Sequence, residues 1–135
     1  MKNIARMALA AALGFLSACS SSSNPAMTGT WLLALIPNDN PTSAFQLTAN
    51  LTQVGNQITG TVSLTGDAAA CGGSASMSGT LSGNTLTLQL TQTESTIDFT
   101  GTANLAFTAA SGTYTAAAGS CLQNGGFGSW SAALE

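Results

Sequence analysis

Few side chains in this sequence can do chemistry, and their spacing narrows what that chemistry could be. Of 135 residues, five are acidic, two are basic and none is histidine. General acid–base or nucleophilic catalysis needs a group that titrates near neutrality, or a base set beside a nucleophile. The two basic residues, Lys2 and Arg6, stand at the extreme amino end. The acids are Asp39, Asp67, Glu94, Asp98 and Glu135, and none follows the alternate-residue spacing of a calcium loop. The three cysteines, Cys19, Cys71 and Cys121, form no CxxC pair, so a dithiol redox centre or a zinc site is not indicated. The expectation is a protein that is not an enzyme, with no metal and no cofactor.

The first cysteine ends a more specific pattern. Lys2 and Arg6 precede an apolar run from Met7 to Leu16, too short to span a bilayer, which ends in Leu16-Ser17-Ala18-Cys19. That arrangement resembles the signal peptide and lipobox of bacterial lipoproteins. The resemblance implies transfer of a diacylglyceryl group to the Cys19 thiol, cleavage after Ala18, and acylation of the new amino terminus by a fatty acid such as palmitate. The lipid bilayer then becomes the first partner. Ser20 follows the cysteine, and among Gram-negative lipoproteins a residue other than aspartate there implies the outer membrane, facing the periplasm or the exterior. The domains are accordingly 1–18 signal, 19–27 lipidated cysteine and serine-rich tether, and 28–135 folded domain.

Losing Lys2 and Arg6 with the signal would take the net charge from -3 to -5 and leave no lysine or arginine. A chain without cations cannot neutralise phosphates, so nucleic acid is excluded as a partner. Attachment to the membrane must then come from lipid rather than from a basic patch. With Cys19 acylated, Cys71 and Cys121 remain as an even pair in an oxidising compartment, which favours a disulfide. Closing a loop of about fifty residues would be worth roughly 4 kcal/mol in the chain-entropy model.

Beyond the tether the hydrophobic period is two. Phe45, Leu47, Ala49 and Leu51 alternate with Gln46, Thr48, Asn50 and Thr52, and Leu86, Leu88 and Leu90 alternate with Thr85, Thr87, Gln89 and Thr91. Such strands bury one face and wet the other. About eight are predicted, near 29–36, 44–54, 57–65, 74–82, 85–92, 96–108, 112–118 and 127–134. Tight hairpin signals lie at Gly55-Asn56, Ser82-Gly83-Asn84 and Ala110-Ser111-Gly112, with longer connections between them around 37–42, 66–73, 91–95 and 119–126. A regular short–long rhythm predicts an all-β, antiparallel up-and-down meander of about eight strands closed into a small barrel. Cys71 and Cys121, and separately Asp39, Asp67 and Glu94, fall in the long connections and so at one mouth.

A glycine followed by Thr or Ser recurs at Gly29, Gly60, Gly79, Gly101, Gly112 and Gly128, each on the apolar face. Inward glycines let strands coil and give bulky neighbours room. The first of them, Gly29-Thr30-Trp31, resembles the G-x-W motif of lipocalins and the similar opening of avidin-like barrels. That resemblance implies a tryptophan closing the barrel end where the first strand enters, although no lysine or arginine remains to pack on it.

Three functions fit these observations. The barrel could be a binding module for a small apolar ligand, lined by Trp31, Phe45, Phe99, Phe107, Tyr114 and Trp130. It could be an inhibitor-like module that meets a cationic envelope protein, such as a lysozyme or a protease, through an acidic mouth of Asp39, Asp67 and Glu94. It could be a structural surface lipoprotein with no discrete ligand. The interior volume separates the first from the other two.

Overall fold

The computed structural model describes residues 26–64, 73–92, 95–117 and 126–135. They form eight antiparallel strands: β1 (Gly29–Pro37), β2 (Phe45–Val54), β3 (Gln57–Leu64), β4 (Ser74–Ser82), β5 (Thr85–Gln92), β6 (Ser95–Ala103), β7 (Ala109–Ala116) and β8 (Phe127–Leu134). Each pairs with the next, and β8 pairs with β1, so the meander closes into a barrel. Following the register around from Gly29 through Leu51, Met77 and Ile97 returns to β1 ten residues further on. With ordinary strand spacing and rise, eight strands staggered by that much tilt by about 40° and enclose a barrel about 8 Å in radius.

The alternation sorts side chains as expected. Leu47, Ala49, Leu51, Leu86, Leu88 and Leu90 point inward and are buried. Their Thr, Gln and Asn neighbours mostly face outward. β1 departs from this, because Leu32, Ala34 and Ile36 put apolar atoms on the outer wall as well.

One end of the barrel carries the β2–β3, β4–β5 and β6–β7 turns together with the start of β1 and the end of β8; we call it the near end. The first two turns are the tight pairs predicted, with Gly55 and Gly83 at φ 60° and 61°, a region that suits glycine. The hairpins are stitched together: the Leu81 N–H donates to Asn56 O (2.9 Å), and the Ala103 N–H donates to Asn84 O (2.8 Å).

Two boundaries differ from the sequence reading. β6 stops at Ala103, and the turn lies at 104–108 rather than at Ala110-Ser111-Gly112. The cause is Asn104, whose Oδ1 accepts from the Thr108 N–H (2.8 Å) and the Ala109 N–H (3.2 Å). Such local side-chain bonding competes with the ladder. Leu105 and Phe107 continued the apolar parity of β6 in the sequence, but they belong to this turn. Gly112 is a mid-strand residue serving close approach: a Cβ there would lie 1.9 Å from Thr100 O. The second difference is the β5–β6 connection. Thr91 pairs with Thr96 and Gln92 with Ser95, leaving two residues between the strands instead of a long loop. Closure therefore rests on the β1–β8 ladder and not on a rhythm of loop lengths.

Met27, predicted within the tether, is a core residue, 2 % exposed. Its N–H donates to Gln53 Oε1 (3.0 Å), and the Gln53 N–H donates to Thr28 Oγ1 (2.9 Å). These bonds fasten the entry of β1 to the end of β2, so the folded unit begins before residue 28.

Candidate functional site

The aromatic residues that could line a ligand chamber are packed against one another. Trp130 on β8 faces the glycine pair Gly101 and Gly112, which are register partners on β6 and β7. A Cβ at Gly101 would come within 2.8 Å of the indole. The Trp130 Nε1–H donates to Thr100 O (3.1 Å) through the space these glycines leave. Phe99 meets Trp130 edge-on, with centroids 5.8 Å apart at 89°, and Tyr114 at 6.1 Å and 42°. The edge-to-face contact of Phe99 with Trp130 is favourable beyond the area it buries.

Trp31 is fully buried at the near end, and its Nε1–H donates to Met27 O (3.1 Å). The entering strand is thus closed by the tryptophan of Gly29-Thr30-Trp31, with Met27 set beside it. Around Met27, Trp31, Leu33, Met77, Leu88 and Trp130 the enclosed space is about 10 Å³. That is at the lower limit for a single water. Phe45 and Phe107 are half-buried and pack on the core from its margins. The six aromatic residues therefore share one interior, but most of them fill it.

Tyr114 has one unusual feature. It is 1 % exposed, and its hydroxyl has no hydrogen-bond partner among the described residues. Burial raises the phenol above its ordinary pKa of 10.0, and the negative charge of Asp39 adds to the effect. Asp39 itself is exposed in the β1–β2 connection, at the end opposite the near end. Asp98 is on the outer wall, where its Oδ1 accepts from Gln89 Nε2 (2.8 Å). Among the described residues no three of His, Cys, Asp and Glu gather at one place. Asp67, Glu94, Cys19, Cys71 and Cys121 lie outside the described residues. The strands flanking Cys71 and Cys121 end on the same side of the barrel as Asp39.

Two surface features were not legible in the sequence. The first is an open depression of about 410 Å³ at the near end, lined by buried Ala103, Ala110 and Ala132 and by exposed Asn104, Ser111 and Ser131. The register partners Ala103, Ala110 and Ala132 put only small side chains there on the inner face of β6, β7 and β8. The second is Phe107, a non-glycine residue at φ 52°. Its N–H donates to Asn104 O (3.0 Å), and the turn folds its ring back onto the core. A bulky side chain in the left-handed region is held there only by its surroundings.

No protein-family model matches the sequence, and no curated protein matches it. Among solved structures, the chain is similar to one titled "Structure of a redesigned beta barrel, b11L5F_LGL", with a TM-score of 0.62 and 13 % sequence identity. The match covers 82 % of this chain and 92 % of that one. At that identity the likeness shows the fold alone: a small eight-stranded barrel.

Proposed function

We propose that this is a lipid-anchored cell-envelope protein whose barrel acts as a protein-binding module through its surface and connections, not as a carrier with a ligand in its interior. The observation that carries the second half is the packing of Trp31 and Trp130 around about 10 Å³ of space, with Phe99 packed between Trp130 and Tyr114. Ligand-carrying sites hold several hundred Å³, so an apolar ligand between the two tryptophans would have to displace these side chains, and the near-end depression of about 410 Å³ is open to solvent rather than enclosed. A partner meeting the exposed β1–β2 connection, where Asp39 stands, would leave that core packing in place. A net charge of -5 on the processed chain favours a cationic envelope protein and speeds its approach at low salt. The anchoring half is supported by Leu16-Ser17-Ala18-Cys19 following Lys2, Arg6 and the apolar run. Outer-membrane placement follows from Ser20 by the same resemblance.

Each half has its own test. Cys19→Ser should abolish incorporation of labelled palmitate and release the protein from the membrane fraction; retention of both would remove the anchor. Titration with a fatty acid, a retinoid and haem should leave the emission of Trp31 and Trp130 unchanged. A saturable change would restore the carrier reading, in which the small apolar ligand enters at the mouth.

A further inference from the structure

We infer that the near end of the barrel is a bilayer-docking face, in which Val54 and Leu105 enter the interfacial zone of a zwitterionic membrane beside the lipid anchor. The inference rests on the anchor proposed above and adds an orientation and a second point of contact. Among the described residues, the large apolar side chains left exposed are Leu32, Val54, Leu105, Phe127 and Leu134. Three of them stand at the near end: Val54 at the β2–β3 turn, 74 % exposed; Leu105 in the β6–β7 turn, 89 % exposed; and Leu134 at the close of β8. Leu32 lies close by on the outer wall, paired with Ala133. Phe127 alone is at the far end, with Asp39.

The chain enters at the same end. Met27 is fastened there to Gln53, the neighbour of Val54. Only six residues, Ser20 to Pro25, separate Cys19 from Ala26. Even fully extended, a connection of that length reaches no more than about 25 Å, so an acylated Cys19 would hold the near end within that distance of the bilayer. Asn56, Asn84 and Asn104 stand at the three near-end turns, polar groups at the level where headgroups and water meet the apolar tips.

Charge decides which membrane surface fits. Glu135 is at this end, its N–H bonded to Thr30 O (2.9 Å), and the described residues include no cation. Anionic headgroups would be repelled, so contact must be apolar and insensitive to salt. The neighbouring turns support one another, so the tips are presented on a rigid rim rather than on a loose loop. Asn84 Nδ2 donates to Ala103 O (3.2 Å), and the Leu134 N–H donates to Thr108 O (2.9 Å).

The test places a tryptophan at either end of the full, lipid-bearing chain: Leu105→Trp at the near end and Phe127→Trp at the far end, both at exposed positions. Each is reconstituted in phosphatidylcholine vesicles with and without bromine on the acyl chains, and the unmodified protein supplies the background from Trp31 and Trp130. The tryptophan at 105 should lose about half its added emission in brominated vesicles, whereas that at 127 should lose none, as interfacial burial at one end only requires. Equal responses at the two positions, with palmitate label present, would overturn the docking face and leave the anchor standing. Absence of palmitate label would overturn both.

Discussion

The inward glycines make the sharpest test of why this chain closes into a barrel, and Gly112→Ala is the most decisive single substitution. A Cβ at that position would fall 1.9 Å from Thr100 O and 2.5 Å from the Gly101 Cα, both backbone atoms of β6. Ordinary contact needs more than 3 Å, so β6 and β7 would have to separate by over an ångström in the middle of their ladder. Overpacking of this kind costs about 1–3 kcal/mol, and weakening two ladder hydrogen bonds adds about 0.5–1.5 kcal/mol each. Alanine returns about 0.5–1 kcal/mol by restricting the unfolded chain. The net destabilisation expected is about 3 kcal/mol. In urea, with a slope of about 1.5 kcal/mol/M for a domain of this size, the midpoint should fall by about 2 M. Tryptophan emission is a suitable probe, since Trp130 rests against Gly101. Gly55→Ala is the control: nothing lies within 4 Å of its Cβ, and only its φ of 60° opposes a side chain, costing about 1–2 kcal/mol. If the Gly112 variant shifts the midpoint no more than the Gly55 variant does, close approach of β6 and β7 is not what requires glycine.

Three further outcomes are expected. Tyr114→Phe removes a buried hydroxyl that has no partner among the described residues and should stabilise the fold by about 1 kcal/mol in denaturant titrations at pH 7; destabilisation would mean the hydroxyl is satisfied. Because folding raises this phenol's pKa, wild-type stability from it is complete below pH about 10 and is lost as the unfolded chain ionises above that value. Tyr114 is the chain's one tyrosine, so the phenylalanine variant should lack that alkaline loss. Met27→Ala should cost about 2–4 kcal/mol by calorimetry, as for a core methionine; a value near zero would return the residue to the tether. Finally, thiol titration of the Cys19→Ser protein in denaturant should detect no free thiol before reduction and two after it, and two beforehand would refute a Cys71–Cys121 bridge.

Much of the architecture was legible because alternation is a local property. Whether Leu86, Leu88 and Leu90 share a face depends only on their being in one strand, so the strand faces and the inward glycines follow from the order of residues. The same locality explains the misreadings. Parity carried β6 on through Leu105 and Phe107, because nothing in the pattern reveals that Asn104 takes the N–H groups of Thr108 and Ala109. Gly112 looked like a turn residue because a glycine that admits a neighbouring carbonyl and one that reverses the chain are written alike. The candidate site fared less evenly: Trp31 was placed at the strand-entry end, whereas the depression near Ala103 and the exposed tips of the near end were not foreseen.

By itself the sequence determined an all-β chain of about eight strands, most of them apolar on one face, an amino-terminal stretch with lipobox spacing, and a charge balance in which the only cations precede that stretch. Only the tertiary structure decided that a β1–β8 ladder makes the closure, that the stagger around the barrel is ten residues, that Met27 belongs to the core, and that Trp31 and Trp130 meet with about 10 Å³ between them and their neighbours. The physical reason is that filling is a property of facing layers. The same inward leucines and aromatics would line a chamber in a wider barrel. At this stagger they meet, with glycines on β6 and β7 admitting Trp130 until no more than a water's space remains between Trp31, Trp130 and their neighbours.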